Sequence, residues 1–325
     1  MIHPNAKKIL LAALMVGVSC LSNTAAAASA TQELTVNPAA VPAVKLISDV
    51  VFSQVPSRGF PNVALKMDIL QPEAKKPLPV VLYITGGGFI HANKDNYLQQ
   101  RLKIAEAGYV VASMEYRVAP VVLFPSPLED VKSAIRYLRA NTEKFGIDGG
   151  RVAVFGSSAG GYLAAFAGTT NGVTQFDKGE NLDQSSQVQA VIDFYGLSDL
   201  TLVGEGLADS IVQKHTSASA TEAMWVNGTA VFDEGGAITS NPDRAAAANP
   251  INYISSATPP FLIMHGADDV IVSPRQTARL HQALTEENIA SSYYIVKGAV
   301  HGGPHWLQPD IMQITIRFLD KHLKP

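Results

Sequence analysis

The sequence predicts an α/β protein built on a mostly parallel sheet with helices on both faces. Three observations carry that reading. Short apolar runs without polar interruption recur along the chain, as in strands covered on both faces. Amphipathic stretches of helical period separate them. Turn residues stand where one kind of run gives way to the other, as in Gly108 after a helical stretch.

Taken in order, residues 49–52 and 64–70 read as early strands. The second alternates with period two, as a half-exposed antiparallel strand does. Residues 80–84, apolar throughout, predict a buried strand, and 98–107 a helix that stops at Gly108. Residues 109–114 form the next strand. The spacing of Leu128, Val131, Ala134, Ile135 and Leu138 predicts a helix over 128–142. A strand through 152–155 leads into a helix that includes 162–167, and a further strand covers 188–194. The strand 261–265, a helix 274–287, the strand 292–296 and a last helix 311–323 close the pattern, eight strands in all.

Two segments stand apart. Residues 31–48, with Pro38 and Pro42, read as an irregular lead-in to a domain over 49–325. Residues 198–256 show no strand pattern, only short helical pieces at 209–214 and 220–225 between loops rich in Gly, Ser and Asn. So long a stretch in a compact domain is expected to be a cap over the site, with a plain surface excursion as the alternative.

Residues 1–30 have the form of a secretory signal peptide. Lys7 and Lys8 precede the apolar run 9–18, and small residues follow at 25–30. The run is short for a membrane anchor. A lipoprotein through Cys20 is the weaker alternative, since Gly17 stands where a leucine is wanted. A periplasmic or secreted protein is expected, without stable membrane insertion after cleavage. Removing 1–30 removes the only cysteine, and its two lysines take the net charge from −3 to −5. A mildly acidic chain of about 295 residues without a basic tract gives no reason to expect nucleic acid, and it reaches the upper size for one core.

The chemistry centres on Gly156-Ser157-Ser158-Ala159-Gly160. A buried strand runs into Gly-x-Ser-x-Gly and then a helix, the pattern of a turn that lifts a serine hydroxyl above a sheet. A Cβ on Gly156 or Gly160 is expected to collide with the neighbouring strand or helix. A serine needs a base, itself oriented by a carboxylate. Both partners follow in the order Ser, acid, His, each after a successive strand. Asp268-Asp269 follow the strand 261–265, and His301 follows the strand 292–296. Asp269 is favoured, with Asp268 as a turn-former, and His305 competes with His301 for the base. A His301–His305 metal site is disfavoured, because Gly302-Gly303-Pro304 breaks the helix it needs and no third ligand is near. Thr85-Gly86-Gly87-Gly88-Phe89 after the strand 80–84 offers backbone N–H groups for an oxyanion, joined by that of Ala159.

With these motifs the chain resembles the α/β-hydrolase superfamily, and within it bacterial carboxylesterases of the hormone-sensitive-lipase and acetyl/feruloyl-esterase-like groups. The shared residues, over about 50–320, include Glu115-Tyr116-Arg117-Val118-Ala119-Pro120, Leu128-Glu129-Asp130-Val131, Phe194-Tyr195-Gly196, Asn249-Pro250-Ile251 and His265-Gly266-Ala267-Asp268-Asp269. The resemblance implies an acid four residues after His265, which is Asp269. It also implies oxyanion donors at Gly87, Gly88 and Ala159. No cofactor or metal is implied. Thr85 departs from the family's histidine, and its hydroxyl is expected to hold the glycine loop by a shorter hydrogen bond. The implied activity is serine-dependent hydrolysis of short-chain or aromatic acyl esters, with the oligomeric state open. A peptidase or amidase of the same fold and a non-catalytic binding protein are the alternatives. Met224, Trp225, Phe89, His91, Tyr195, His305 and Trp306 are candidates to line a pocket.

Overall fold

The structure, a computed structural model, describes residues 31–38, 40–57, 59–231 and 235–324. The expected signal peptide, with Cys20, lies outside the described residues. The chain divides into a unit that ends at Asn37 and a compact unit that begins at Pro38. The described part of that first unit, 31–37, has no regular secondary structure.

Eight strands form one sheet: β1 (Val44–Ser57), β2 (Phe60–Pro72), β3 (Leu78–Ile84), β4 (Val110–Met114), β5 (Ile147–Ser157), β6 (Ala190–Phe194), β7 (Phe261–Gly266) and β8 (Ser291–Val296), in the spatial order β1-β2-β4-β3-β5-β6-β7-β8. The pairs β1–β2 and β2–β4 are antiparallel and all the others are parallel. The helices are α1 (Leu98–Glu106), α2 (Ser126–Ala140), α3 (Thr142–Phe145), α4 (Ala159–Thr169), α5 (Asp209–His215), α6 (Thr221–Asn227), α7 (Pro242–Ala247), α8 (Arg275–Glu286) and α9 (Pro309–Leu323).

Successive residues of the central strands enter two separate cores. Val80, Leu82 and Ile84 of β3 join Val152 and Val154 of β5 beneath α2 and α4. Val81, Tyr83, Ala153 and Phe155 face the other way, against α1 and α9. Both faces are therefore dry, which explains the unbroken apolar runs of these strands.

The expected lead-in over 31–48 is corrected at its end, because β1 begins at Val44. Pro42 precedes the strand instead of interrupting it. Most of β1 is exposed or half-buried, so pairing with β2 defines the strand more than burial does. The segment expected to be a cap holds α5, α6 and α7 and short 3₁₀ turns.

Candidate active site

Parallel strands present their carboxyl ends on one edge of the sheet, and ligands of such sheets bind there. The ends of β3, β5, β7 and β8 carry the four segments singled out in the sequence. Ser158 follows β5 directly, at φ 55° and ψ −125°, and is the residue before α4. Few residues with a side chain adopt that backbone conformation, and the surroundings here fix it. The Ser158 N–H donates to the Phe194 carbonyl of β6 (2.9 Å). The flanking glycines permit contacts that no Cβ would allow. A Cβ on Gly156 would stand 2.0 Å from the Gly160 carbonyl oxygen, and one on Gly160 would stand 2.0 Å from that of Ile84.

The Ser158 hydroxyl donates to Nε2 of His301 (2.8 Å). Nδ1 of His301 faces a carboxylate oxygen, which can only accept, so the ring proton sits on Nδ1 and donates to Oδ2 of Asp269 (2.6 Å). Nε2 is thereby left as the acceptor that a serine base requires. Asp269 is buried, and its other oxygen, Oδ1, accepts from the Ile271 and Val272 N–H groups (2.9 and 3.0 Å). Asp268 is exposed and outside this array, and so is His305.

A second histidine completes the carboxylate's surroundings. His265, fully buried at the end of β7, shares its Nε2–H between Oδ2 of Asp269 (3.1 Å) and the Val272 carbonyl (3.0 Å). Its Nδ1 meets Thr277 Oγ1 of α8 (2.8 Å). Burial by itself pushes the Asp269 carboxyl up. The hydrogen bonds from His265 and His301, the charge of His301 and the Val272 N–H outweigh it and hold the group well below the usual carboxylate range. In the sequence His265 marked only the spacing to the acid. Its side-chain role becomes visible once the loop 266–272 folds back on β7.

The glycine loop packs directly against the nucleophile. A Cβ on Gly86 would lie 2.6 Å from the Ser157 carbonyl oxygen and 3.0 Å from Cβ of Ser158, and one on Gly87 would lie 2.1 Å from the His91 carbonyl oxygen. Close approach thus explains Gly86 and Gly87. Gly88 alone of the three has a left-handed backbone, at φ 58°. Among the described residues, the N–H groups of Gly87, Gly88 and Ala159 have no intramolecular acceptor, and Ala159 opens α4, where the helix dipole favours negative charge.

Thr85 does not hold this loop by its side chain. Its buried hydroxyl has no hydrogen-bond partner. Tyr116 supplies the support instead, its hydroxyl donating to the Thr85 carbonyl (2.9 Å), while the Ala119 N–H donates to the Phe89 carbonyl (2.9 Å). A tyrosine thirty-one residues downstream reaches the strand end because β4 lies beside β3.

The candidate pocket aromatics divide. Phe89 is buried, its ring 4.7 Å from Trp225 and edge-on to Tyr162 at 5.4 Å. Trp225 is fully buried, with Met224 partly buried beside the core. Tyr195 and Trp306 are packing residues: Tyr195 meets the His301 ring edge-on at 4.8 Å, and Trp306 supports Tyr195 and donates to the Val300 carbonyl (3.1 Å). Only His91 and His305 of the set are exposed. Among the described residues no group of three or more His, Cys, Asp or Glu side chains could hold a metal ion, and no helix is long and apolar enough to cross a membrane.

Comparison with known proteins places this geometry in a lineage. The chain is 31% identical over 229 residues to Esterase LipC of Mycobacterium tuberculosis, covering 70% of this chain and 53% of that protein. It is 30% identical over 202 residues to the probable carboxylic ester hydrolase LipM of the same organism, covering 62% and 43%. The chain spans about half the length of the curated relatives it matches. A solved truncated form of a carbohydrate esterase from gut microbiota is similar at a TM-score of 0.74 and 26% identity, over 88% of this chain and 100% of that one. The butyrate-bound esterase Est2 of Thermogutta terrifontis is similar at a TM-score of 0.65 and 26% identity, over 87% and 96%. Residues 67–284 match the family model described as BD-FAE. On that match and the shared architecture, the chain belongs to the BD-FAE family and has the α/β-hydrolase fold.

Proposed function

We propose that this protein is a serine carboxylesterase that hydrolyses short-chain or aromatic acyl esters. The observation that carries the reading is the continuous pair of hydrogen bonds from Ser158 through His301 to Asp269. As Oγ of Ser158 attacks an ester carbonyl, its proton passes to Nε2 of His301, and Asp269 stabilises the imidazolium. The carbonyl oxygen becomes an oxyanion, held by the N–H groups of Gly87, Gly88 and Ala159. The same proton then goes to the departing alkoxide, which leaves as the alcohol with Ser158 acylated. Water attacks the acyl-enzyme with His301 again as base, and the carboxylic acid is released. None of these steps calls on a cofactor.

Support for an ester as substrate comes from the relatives named as esterases and from the butyrate-bound homologue. We read the chain as exported to the periplasm or secreted, on the strength of the Lys7-Lys8 and 9–18 pattern. The test is a panel of p-nitrophenyl and feruloyl esters varying in the acyl group, beside aminoacyl anilides, with Ser158→Ala as the blank. Turnover of esters that the variant lacks, with labelling of Ser158 by a fluorophosphonate, supports the reading. Anilide cleavage without ester cleavage would make the protein an amidase. Folded protein that neither turns over nor labels would be a binding protein.

A further inference from the structure

His215 ends α5, a helix with no buried residue of its own. Its ring lies between two acceptors on different parts of the chain. Nδ1 is 2.6 Å from Oε1 of Glu222, a buried side chain on α6, and Nε2 is 2.9 Å from the Ile271 carbonyl oxygen. A carbonyl oxygen and a carboxylate both accept, so filling both contacts needs an N–H on each ring nitrogen. A neutral imidazole has one such group, and an imidazolium has two.

The contact on Ile271 leads to the site. The Ile271 N–H donates to Oδ1 of Asp269, the carboxylate that orients His301. The root of the 198–256 segment is fastened separately. There Ser198 and Asp199 donate through their N–H groups to Oε1 of Gln276, and Arg279 pairs with Glu205 at 2.6 Å. Ser273, at the far end of the acid loop, donates to the Val203 and Glu205 carbonyls at that root, whereas His215 joins α5 and α6 to Ile271, next to Asp269 in the array.

We propose that His215 is a positioning residue that, as an imidazolium, clamps α5 and α6 to the loop carrying Asp269, so that the order of this loop depends on the charge of a ring outside the Ser158–His301–Asp269 array. The consequence for turnover rests on the esterase reading above, whereas the clamp does not.

The charged groups facing the ring are Glu222 from α6, which favours the imidazolium, and Lys214 from its own helix, which opposes it. The acid loop contributes the Ile271 carbonyl, and at the start of the segment Gly204 runs so close that a Cβ on it would lie 3.1 Å from Cδ2 of the ring. The hydrogen bond to Glu222 is the largest influence and, against burial, holds the ring above the ordinary histidine range. The sign follows from this. The clamp is complete below that range and is lost as pH rises through the raised value.

The test uses the full chain and two readouts. Hydrogen exchange of 205–228 and 267–273, corrected for intrinsic rates, is followed from about pH 6 to about pH 10, across and beyond the histidine range. Protection of both segments is expected to fall together as pH rises, and in His215→Gln to be low and independent of pH. For turnover, kcat/KM of His215→Gln is expected to drop about ten-fold at neutral pH, as loss of one charged hydrogen bond implies, and to lose the alkaline decline of the parent. Glu222→Gln should shift that decline to lower pH. Unchanged protection across the range, or a ring nitrogen spectrum showing neutral His215 at about pH 6, overturns the clamp. If His215→Gln does not fold, the parent's exchange profile still decides. A protein with the exchange transition but no ester turnover would refute the esterase reading and leave the clamp standing.

Discussion

His265 and His301 converge on one carboxylate oxygen, Oδ2 of Asp269, from 3.1 and 2.6 Å. One ring comes from the end of β7 and the other from the loop after β8, so adjacent parallel strands supply both. The buried carboxylate thus receives two ring N–H groups in addition to two amides. Replacing His265 by Phe keeps much of the volume and removes a donor. We expect kcat/KM to fall about ten-fold, the worth of one charged hydrogen bond. Because the Asp269 carboxyl is depressed in the folded protein, its contribution to stability is present above the unfolded carboxylate range and disappears as pH falls through the folded value. In His265→Phe the acid unfolding limb should begin at higher pH, which urea denaturation at a series of pH values will measure.

Adjacent aspartates allow a direct contrast. Asp269→Asn is expected to lower kcat by about 10⁴, because the amide spoils the tautomer His301 needs. Asp268→Asn, at an exposed position, should leave kcat within about two-fold. Steady-state assays of the two variants on one ester suffice, and equal losses would remove Asp269 from its role.

Gly160→Ala places a methyl 2.0 Å from the Ile84 carbonyl oxygen, backbone that belongs to a central strand and has no room to give way. A loss of about 3 kcal/mol is expected, the upper part of the overpacking range. It is read from the urea midpoint, together with weaker fluorophosphonate labelling of Ser158. A variant with the parent's midpoint would mean that the turn is looser than it looks.

Asp193 is a buried carboxyl that the chemistry does not use. Oδ1 accepts from the Gly196 N–H (2.9 Å), and Oδ2 has no partner. Burial, opposed by that N–H, pushes the group up to about 7 from an ordinary 3.8. Between those values the unfolded chain has released a proton that the folded chain retains, so stability falls as pH climbs through the window and levels off above it. The loss is on the order of 4 kcal/mol. Asp193→Asn should flatten that slope, and parallel slopes in parent and variant would contradict the assignment.

Much of this was legible in the sequence for a physical reason. Strand segments covered on both faces, such as 80–84 of β3 and 152–155 of β5, are apolar at every position, and that pattern needs no tertiary knowledge to see. The order Ser158, Asp269, His301 along the chain follows from the order of parallel strands in the sheet. What stayed hidden depends on contacts between distant segments. The early part of β1 is too exposed to announce itself and is defined by its partner strand. Tyr116, not the Thr85 hydroxyl, supports the glycine loop because β4 runs beside β3. Tyr195 and Trp306, plausible as pocket walls by composition, are buried as backing for the His301 loop. His215 sits in a short helical piece whose composition says nothing of Ile271.

The chain has two tryptophans, and each rests on a different half of the machinery. Trp225 touches the ring of Phe89 on the glycine loop, and Trp306 underlies the turn that carries His301. Intrinsic emission from this protein therefore originates beside the two backbone segments that an ester would have to meet. A change in that emission on acylation of Ser158 is expected, and stopped-flow fluorescence of the parent beside Ser158→Ala checks it without any attached dye.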